Sequence, residues 1–345
     1  MTQLGTEFND AHIFRMTDDT GMFQHTRYNV PDLSKGYTTD DNARALIMAV
    51  MLYEKNRQAK YLALVYRYLA FILYAQNEAG HFRNFMTYER KFTEAQGSEE
   101  CFGRCLWALG YTLASSGMPS GVKAACNSAV SRALPQVSSL KCLRGQAYVL
   151  IGLGFIDGTE SDRLMNELAE LIAVNFERCS REKNWHWFEN SLTYDNALLP
   201  WAMFVAFHKT RKERFLYIAR ESMTFLDQDA FRDNFFRPVG CRGWWMRGTD
   251  SALYDQQPVE TSMSTLAHLV AYQVTGDEEM LNLARQTFAW YLGKNSCHES
   301  LIDHETGGCY DGIMMDGLNQ NQGAESIVGY CMARLALDNK GLGIV

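Results

Sequence analysis

The chain has 345 residues, 47% of them hydrophobic and 12% aromatic, with a formal net charge of -7. Such a length is enough for one large core or two ordinary ones. The mild negative charge argues against a nucleic-acid partner, which wants a basic face, and no apolar run reaches the roughly 18 residues a membrane span needs.

The first ten residues, Met1 to Asp10, have neither a basic start nor an apolar signal core, and nine cysteines fall mostly in helix-patterned runs. A reduced, cytoplasmic protein with buried thiols is expected rather than a disulfide framework. Six prolines in the whole chain favour long uninterrupted helices.

In chain order, six apolar runs read as inner helices, starting near Thr39, Ser98, Ser139, Leu192, Gln257 and Asn321. Ala43 to Leu52 is apolar on nearly every face, so its helix is buried on most sides. Between them, Tyr61 to Tyr74, Gly121 to Leu134, Ser161 to Phe176, Lys212 to Leu226 and Glu278 to Leu292 are amphipathic and read as outer helices. A sixth outer helix is missing after Leu337, and Ala11 to Met16 is placed to close the ring instead. His81 to Met86 and Cys309 to Leu318 are the best strand signals. The expected architecture is all-α: one (α/α)6 toroid over residues 1–345, with short β-hairpins over its mouth. An open helical solenoid is the competitor, disfavoured by long, unequal loops before the inner helices.

Carboxylates recur where inner helices begin. Asp40-Asp41-Asn42-Ala43 is echoed by Tyr194-Asp195-Asn196-Ala197, and Glu100, Glu260 and Glu325 open three further runs. Capping of free backbone N–H groups explains any one of them. The amides and aromatics around them have no part in a cap, but amides bind hydroxyls and rings stack on sugar faces. In a ring, these helix ends converge on one mouth. Glycoside hydrolysis needs two carboxyl groups flanking one bond, one protonated and one ionised. Repulsion and burial would raise one, while amides and Arg44, Arg83 or Arg104 keep the other charged.

The candidate catalytic acids are Asp41, Glu100, Asp195, Glu260 and Glu325, with Asp195 and Glu260 leading because aromatic loops precede both. Candidate substrate contacts are Asp40, Asn42, Arg83, Asn84, Trp187, Glu189, Tyr194, Asn196, Trp244, Trp245, Asp255, Gln256, Gln257, Asn321 and Gln322. His81, His186 and His268 could act as bases, with a buried structural role favoured for His268. No zinc, calcium or phosphate-loop spacing is present, so neither metal nor cofactor is expected.

Several strings together resemble a bacterial family of six-hairpin glycosidase-like domains. They include Gly36-Tyr37-Thr38-Thr39-Asp40-Asp41-Asn42-Ala43-Arg44-Ala45-Leu46, Phe82-Arg83-Asn84-Phe85, Gly97-Ser98-Glu99-Glu100, Trp187-Phe188-Glu189, Tyr194-Asp195-Asn196-Ala197, Asp255-Gln256-Gln257-Pro258-Val259-Glu260 and Asn321-Gln322-Gly323-Ala324-Glu325. Relatives in that family occur alone or joined to glycosyltransferases, often beside mannoside-processing genes. The resemblance implies the toroid and carbohydrate handling, with β-mannosides as the substrate class. Transferase activity is rejected, because the chain has no Gly-rich α/β nucleotide-binding unit.

The expected function is therefore glycoside hydrolysis, with inversion favoured. The alternatives are a sugar epimerase or isomerase, which would want histidine bases at the helix ends, and a non-catalytic glycan-binding module.

Overall fold

The computed structural model describes residues 8–181 and 184–341. Helices α2 (Thr39–Asn56), α4 (Glu99–Ala114), α6 (Leu143–Leu153), α8 (Leu198–Thr210), α10 (Pro258–Thr275) and α12 (Ala324–Asn339) pack in that order, and α12 returns to α2, closing a ring. Outside them lie α3 (Ala59–Ala75), α5 (Ser120–Ala133), α7 (Thr159–Cys179), α9 (Glu213–Ala230) and α11 (Glu278–Phe288), each packed on the inner helix before it. This is the (α/α)6 toroid.

Sequence pattern explains the division. In α8 every residue from Leu198 to Phe207 is buried, so the helix has no polar face to turn to solvent. In α7 the buried set Leu164, Met165, Leu168, Ala169, Ile172, Ala173 and Phe176 forms a single stripe. Glycine permits the closest approach in the ring. A Cβ on Gly103 of α4 would stand 2.6 Å from Cβ of Tyr148, and one on Gly152 of α6 would stand 2.7 Å from the backbone nitrogen of Trp107. Only a residue without a side chain lets two backbones meet this way.

The sixth outer position is taken by α1 (Ala11–Arg15), which is far shorter than its counterparts. Tyr61 of α3 donates to Asp10 at 2.7 Å, and His12 Nε2 lies 2.8 Å from the backbone oxygen of Gln322, ahead of α12.

Among the described residues, four two-stranded antiparallel ribbons sit in the loops: β1 (Thr26–Arg27) with β2 (Val30–Pro31), β3 (Tyr37–Thr38) with β4 (Phe85–Met86), β5 (Ser191–Leu192) with β6 (Trp245–Met246), and β7 (Ile313–Met314) with β8 (Gly317–Leu318). Two inner helices begin later than their apolar pattern suggests. Leu134–Ser139 forms a 3-10 turn, moving the start of α6 to Leu143. Ser191–Leu192 is drawn into a strand, and Asp195 adopts a positive φ of 53°, so α8 starts only at Leu198.

All nine cysteines are free thiols. Among the described residues, no helix is long and apolar enough to cross a membrane.

His268 of α10 lies inside the ring wall. Its Nε2 is 3.1 Å from both carboxylate oxygens of Asp227 on α9, and its Nδ1 is 2.7 Å from the backbone oxygen of Ser264. Burial opposes its charge, but the Asp227 carboxylate outweighs burial and raises its pKa above the usual 6.5. A histidine raised on folding stabilises fully below its unfolded pKa, and that stability is lost as pH rises through the folded value. Urea unfolding is therefore expected to show stability declining from pH 6 towards pH 9 in the parent, with a smaller decline in Asp227→Asn.

Candidate active site

In the closed ring the N-terminal ends of the inner helices share one side, and there α2, α4 and the turn before α8 meet at Arg104. Arg104 is in the second turn of α4 and is 5% exposed. Its guanidinium lies 3.1 Å from Asp40 of α2, 3.9 Å from Glu100 of its own helix and 3.8 Å from Asp195 before α8. Three helix ends thus place a carboxylate on one cation. Tyr148 of α6 completes the shell, with its ring 4.8 Å from the guanidinium carbon and its hydroxyl donating to Asp195.

A second arginine repeats the arrangement one helix away. Arg44 of α2 bonds Asp41 at 2.6 Å and Glu325 of α12 at 3.0 Å. Arg144, in the first turn of α6, bonds Glu189 at 2.8 Å and the backbone oxygen of Tyr194 at 2.7 Å. Tyr194 in turn donates its hydroxyl to Glu100.

These neighbours split the acids. Burial works against the charge of Asp40, yet Arg104 and Arg44 overcome it and hold the carboxyl below the usual 3.8. Asp41 goes the other way: burial, then the adjacent Asp40 charge, push it up to about 7. Burial also raises Asp195, against the pull of Arg104. Burial and the Asp195 charge push Glu260 up to about 8, although N–H groups of Asp195 and Asn196 favour its charged form. The adjacent Asp40 and Asp41 are thus pushed in opposite directions, the kind of split acid/base chemistry requires.

Exposure separates the five expected catalytic acids. Asp195 has no exposed surface and Glu260 is 3% exposed. Glu260 accepts from the backbone N–H of Asp195, from that of Asn196 at 3.3 Å and from the Asn196 amide at 3.0 Å, so it clasps the turn that carries Asp195. Asp41 is buried against Thr38 and Arg44. The side chains reaching solvent at the mouth are Asp40 at 19%, Glu100 at 18% and Glu325 at 41%.

The expected substrate contacts divide in the same way. Glu189, Tyr194 and Trp244 are half-buried around the mouth, with the Tyr194 and Trp244 rings 6.4 Å apart. Asp255 is partly exposed and accepts from Arg242 at 3.0 Å, while Gln257 is the N-cap residue of α10. Others make contacts within the protein. Trp187 has no exposed surface and packs edge-on against Phe188 in the core. Trp245 stacks on Phe225 at 5.2 Å. Asn42 bridges Met22 and Thr38, Asn84 caps α2 by accepting from Asp40 N–H at 3.1 Å, and Asn196 holds Glu260. Gln256 bonds Ser296 and the Trp290 indole; Gln322 bonds Asp303; Asn321 accepts from Tyr28 N–H. Arg83 lies away from the acids, donating to Tyr74 and Ala75 carbonyls and packing 4.2 Å from the Phe92 ring centre.

The charge-holding role considered for Arg83 is filled at the mouth by Arg144. Its sequence signal is its position: Arg144 occupies on α6 the helix-start place that carboxylates take elsewhere. Tyr148 carried no sequence signal, being one apolar-patterned residue among many.

No family model matches the chain, and no curated protein does. Solved structures share the fold. A sugar epimerase from a ruminal bacterium aligns with a TM-score of 0.74 at 14% identity, over 95% of this chain and 96% of that one. Cellobiose 2-epimerase from Bacillus thermoamylovorans aligns at 0.74 and 11%, over 95% of each chain. An α-1,6-mannanase from Salegentibacter sp. aligns at 0.65 and 10%, over 96% of each. At these identities the likeness is one of fold.

Proposed function

We propose that this protein is a glycoside hydrolase acting on a neutral oligo- or polysaccharide, with mannosides the first class to test. The observation that carries the reading is the gathering of Asp40, Glu100 and Asp195 from three helix ends onto Arg104. Asp40 and Glu100 reach solvent and would flank the scissile bond. Asp40, kept charged by Arg104 and Arg44, takes the base's part, which leaves Glu100 as proton donor to the leaving oxygen. Asp195 and Glu260 lie beneath them as positioning groups: Asp195 shares Arg104, and Glu260 fixes the turn of Asp195. An excess of carboxylates over arginines disfavours uronates and sugar phosphates as substrates.

Sugar epimerisation is the second reading, because epimerases share the fold. That reaction moves a proton beside a carbonyl and usually employs histidine. Among the described residues, the Arg104 cluster contains carboxylates, arginine and tyrosine. His268 lies eight residues past Glu260 along α10, roughly 12 Å deeper.

The test is reducing-end release from a panel of mannosides and glucosides, β-linked mannans included. Release from at least one neutral glycan is the expected result; silence across the panel with an intact fold contradicts it.

A further inference from the structure

We infer that the rim beside α2 is a second glycan-binding cleft, which holds the part of a neutral saccharide chain lying outside the catalytic mouth. The substrate end of this inference rests on the hydrolase reading above; the binding itself does not. A cleft of about 320 Å³ lies between the 33–35 turn and the 85–93 loop, lined by Ser34, Lys35, Phe85, Thr87, Tyr88 and Glu89 among others. Phe85 and Tyr88 are each 49% exposed, and Leu33 is 43% exposed. Large apolar side chains clustered in the open mark a binding surface more than a packing accident.

The lining identifies the occupant's chemistry. Ring faces stand beside the hydroxyl-bearing Ser34 and the exposed Thr93, the combination that meets both faces and edges of a pyranose. One cation, Lys35, and one anion, Glu89, leave no net charge, which disfavours a polyanion or an anionic membrane. The walls are firm. Tyr88 packs 6.2 Å from the largely buried Phe23 ring, and Gly36, at a φ of 60°, lies so close to β4 that a Cβ there would meet the Met86 oxygen at 2.1 Å. Phe85 and its neighbour Asn84 are tied through their N–H groups to Glu94 at 2.8 and 2.6 Å. A preorganised aromatic surface loses little entropy on binding.

Continuity with the mouth comes from the backbone. Thr38 pairs with Phe85 across β3 and β4, and the next residues, Thr39 and Asp40, are each bonded to Asn84. A chain leaving Asp40 along this edge therefore runs directly over Phe85.

The test uses the full chain and the variant Phe85→Ala/Tyr88→Ala, neither residue being part of the mouth. Affinity electrophoresis is run in gels containing glucomannan, galactomannan or mixed-linkage β-glucan, and sedimentation is measured in parallel. The parent is expected to be retarded by at least one polysaccharide, and the variant to bind it roughly tenfold more weakly, as loss of two stacking rings implies. In catalysis, the variant should raise KM for long chains and leave turnover of a short aryl glycoside unchanged. Retardation without any hydrolysis would sink the hydrolase reading and keep the cleft. Equal retardation of parent and variant, or no retardation of the parent, would overturn the cleft. So would a parent dimer that the variant dissociates while glycan binding is unchanged, because the rings would then serve a second copy.

Discussion

Asp40→Asn and Glu100→Gln are each expected to lower kcat on a natural glycan by roughly a thousandfold or more, as loss of a positioned acid or base does. The two variants should differ on an activated aryl glycoside. A nitrophenolate departs without a proton, so Glu100→Gln keeps much of its turnover there while Asp40→Asn does not. Added azide should restore turnover to Asp40→Asn alone, by replacing the nucleophile that the base no longer activates. Because Asp40 is held below the usual 3.8, the acid limb of the parent's pH–rate profile should lie below that value. If both variants fall equally on both substrates, the roles assigned to Asp40 and Glu100 fail. If neither falls, the pair fails.

The largest stability effect is expected at Arg104. Replacing it with methionine leaves Asp40, Glu100 and Asp195 facing one another with no shared countercharge. Removing one partner from a buried ionic cluster costs about 3–5 kcal/mol, because the remaining charge cannot return to water. The orphaned carboxyls would bind protons more tightly in the folded state than in the unfolded one. A carboxyl raised on folding loses stability as pH climbs above its unfolded value, so the deficit of Arg104→Met should be large at pH 7 and shrink towards pH 4. Urea unfolding at the two pH values measures it. A deficit independent of pH would mean that Arg104 acts by filling space and not by charge.

Legibility in the sequence followed the kind of force involved. Periodic burial is local, so the all-apolar runs of the inner helices and the striped outer ones marked the toroid, including the substitution of α1 for a sixth outer helix. Helix starts were less legible where a turn competes: the Asp195–Asn196 turn, clasped by Glu260 from another helix, delays α8, and no local pattern announces a clasp 65 residues away. The same reason hid the exposure of the acids. Asp195 and Asp41 sit in near-identical Asp-Asn-Ala strings with Asp40 between them in character, yet only Asp40 of the three reaches solvent appreciably. Which member of a motif faces the mouth depends on the neighbouring helix. Aromatic loops misled for a related reason: Trp187 is buried in the core and Trp245 stacks on Phe225 of α9, whereas Phe85, inside the His81 to Met86 strand signal, and Tyr88, just beyond it, are exposed.

The most direct test of the account is a proton NMR time course in deuterium oxide with a mannoside that the panel shows to be turned over. The account predicts a new reducing end released in one anomeric form, with every carbon-bound proton of the sugar retained. An unchanged chain length with deuterium entering at a carbon beside the anomeric centre would contradict it, and would assign the mouth to epimerisation or isomerisation.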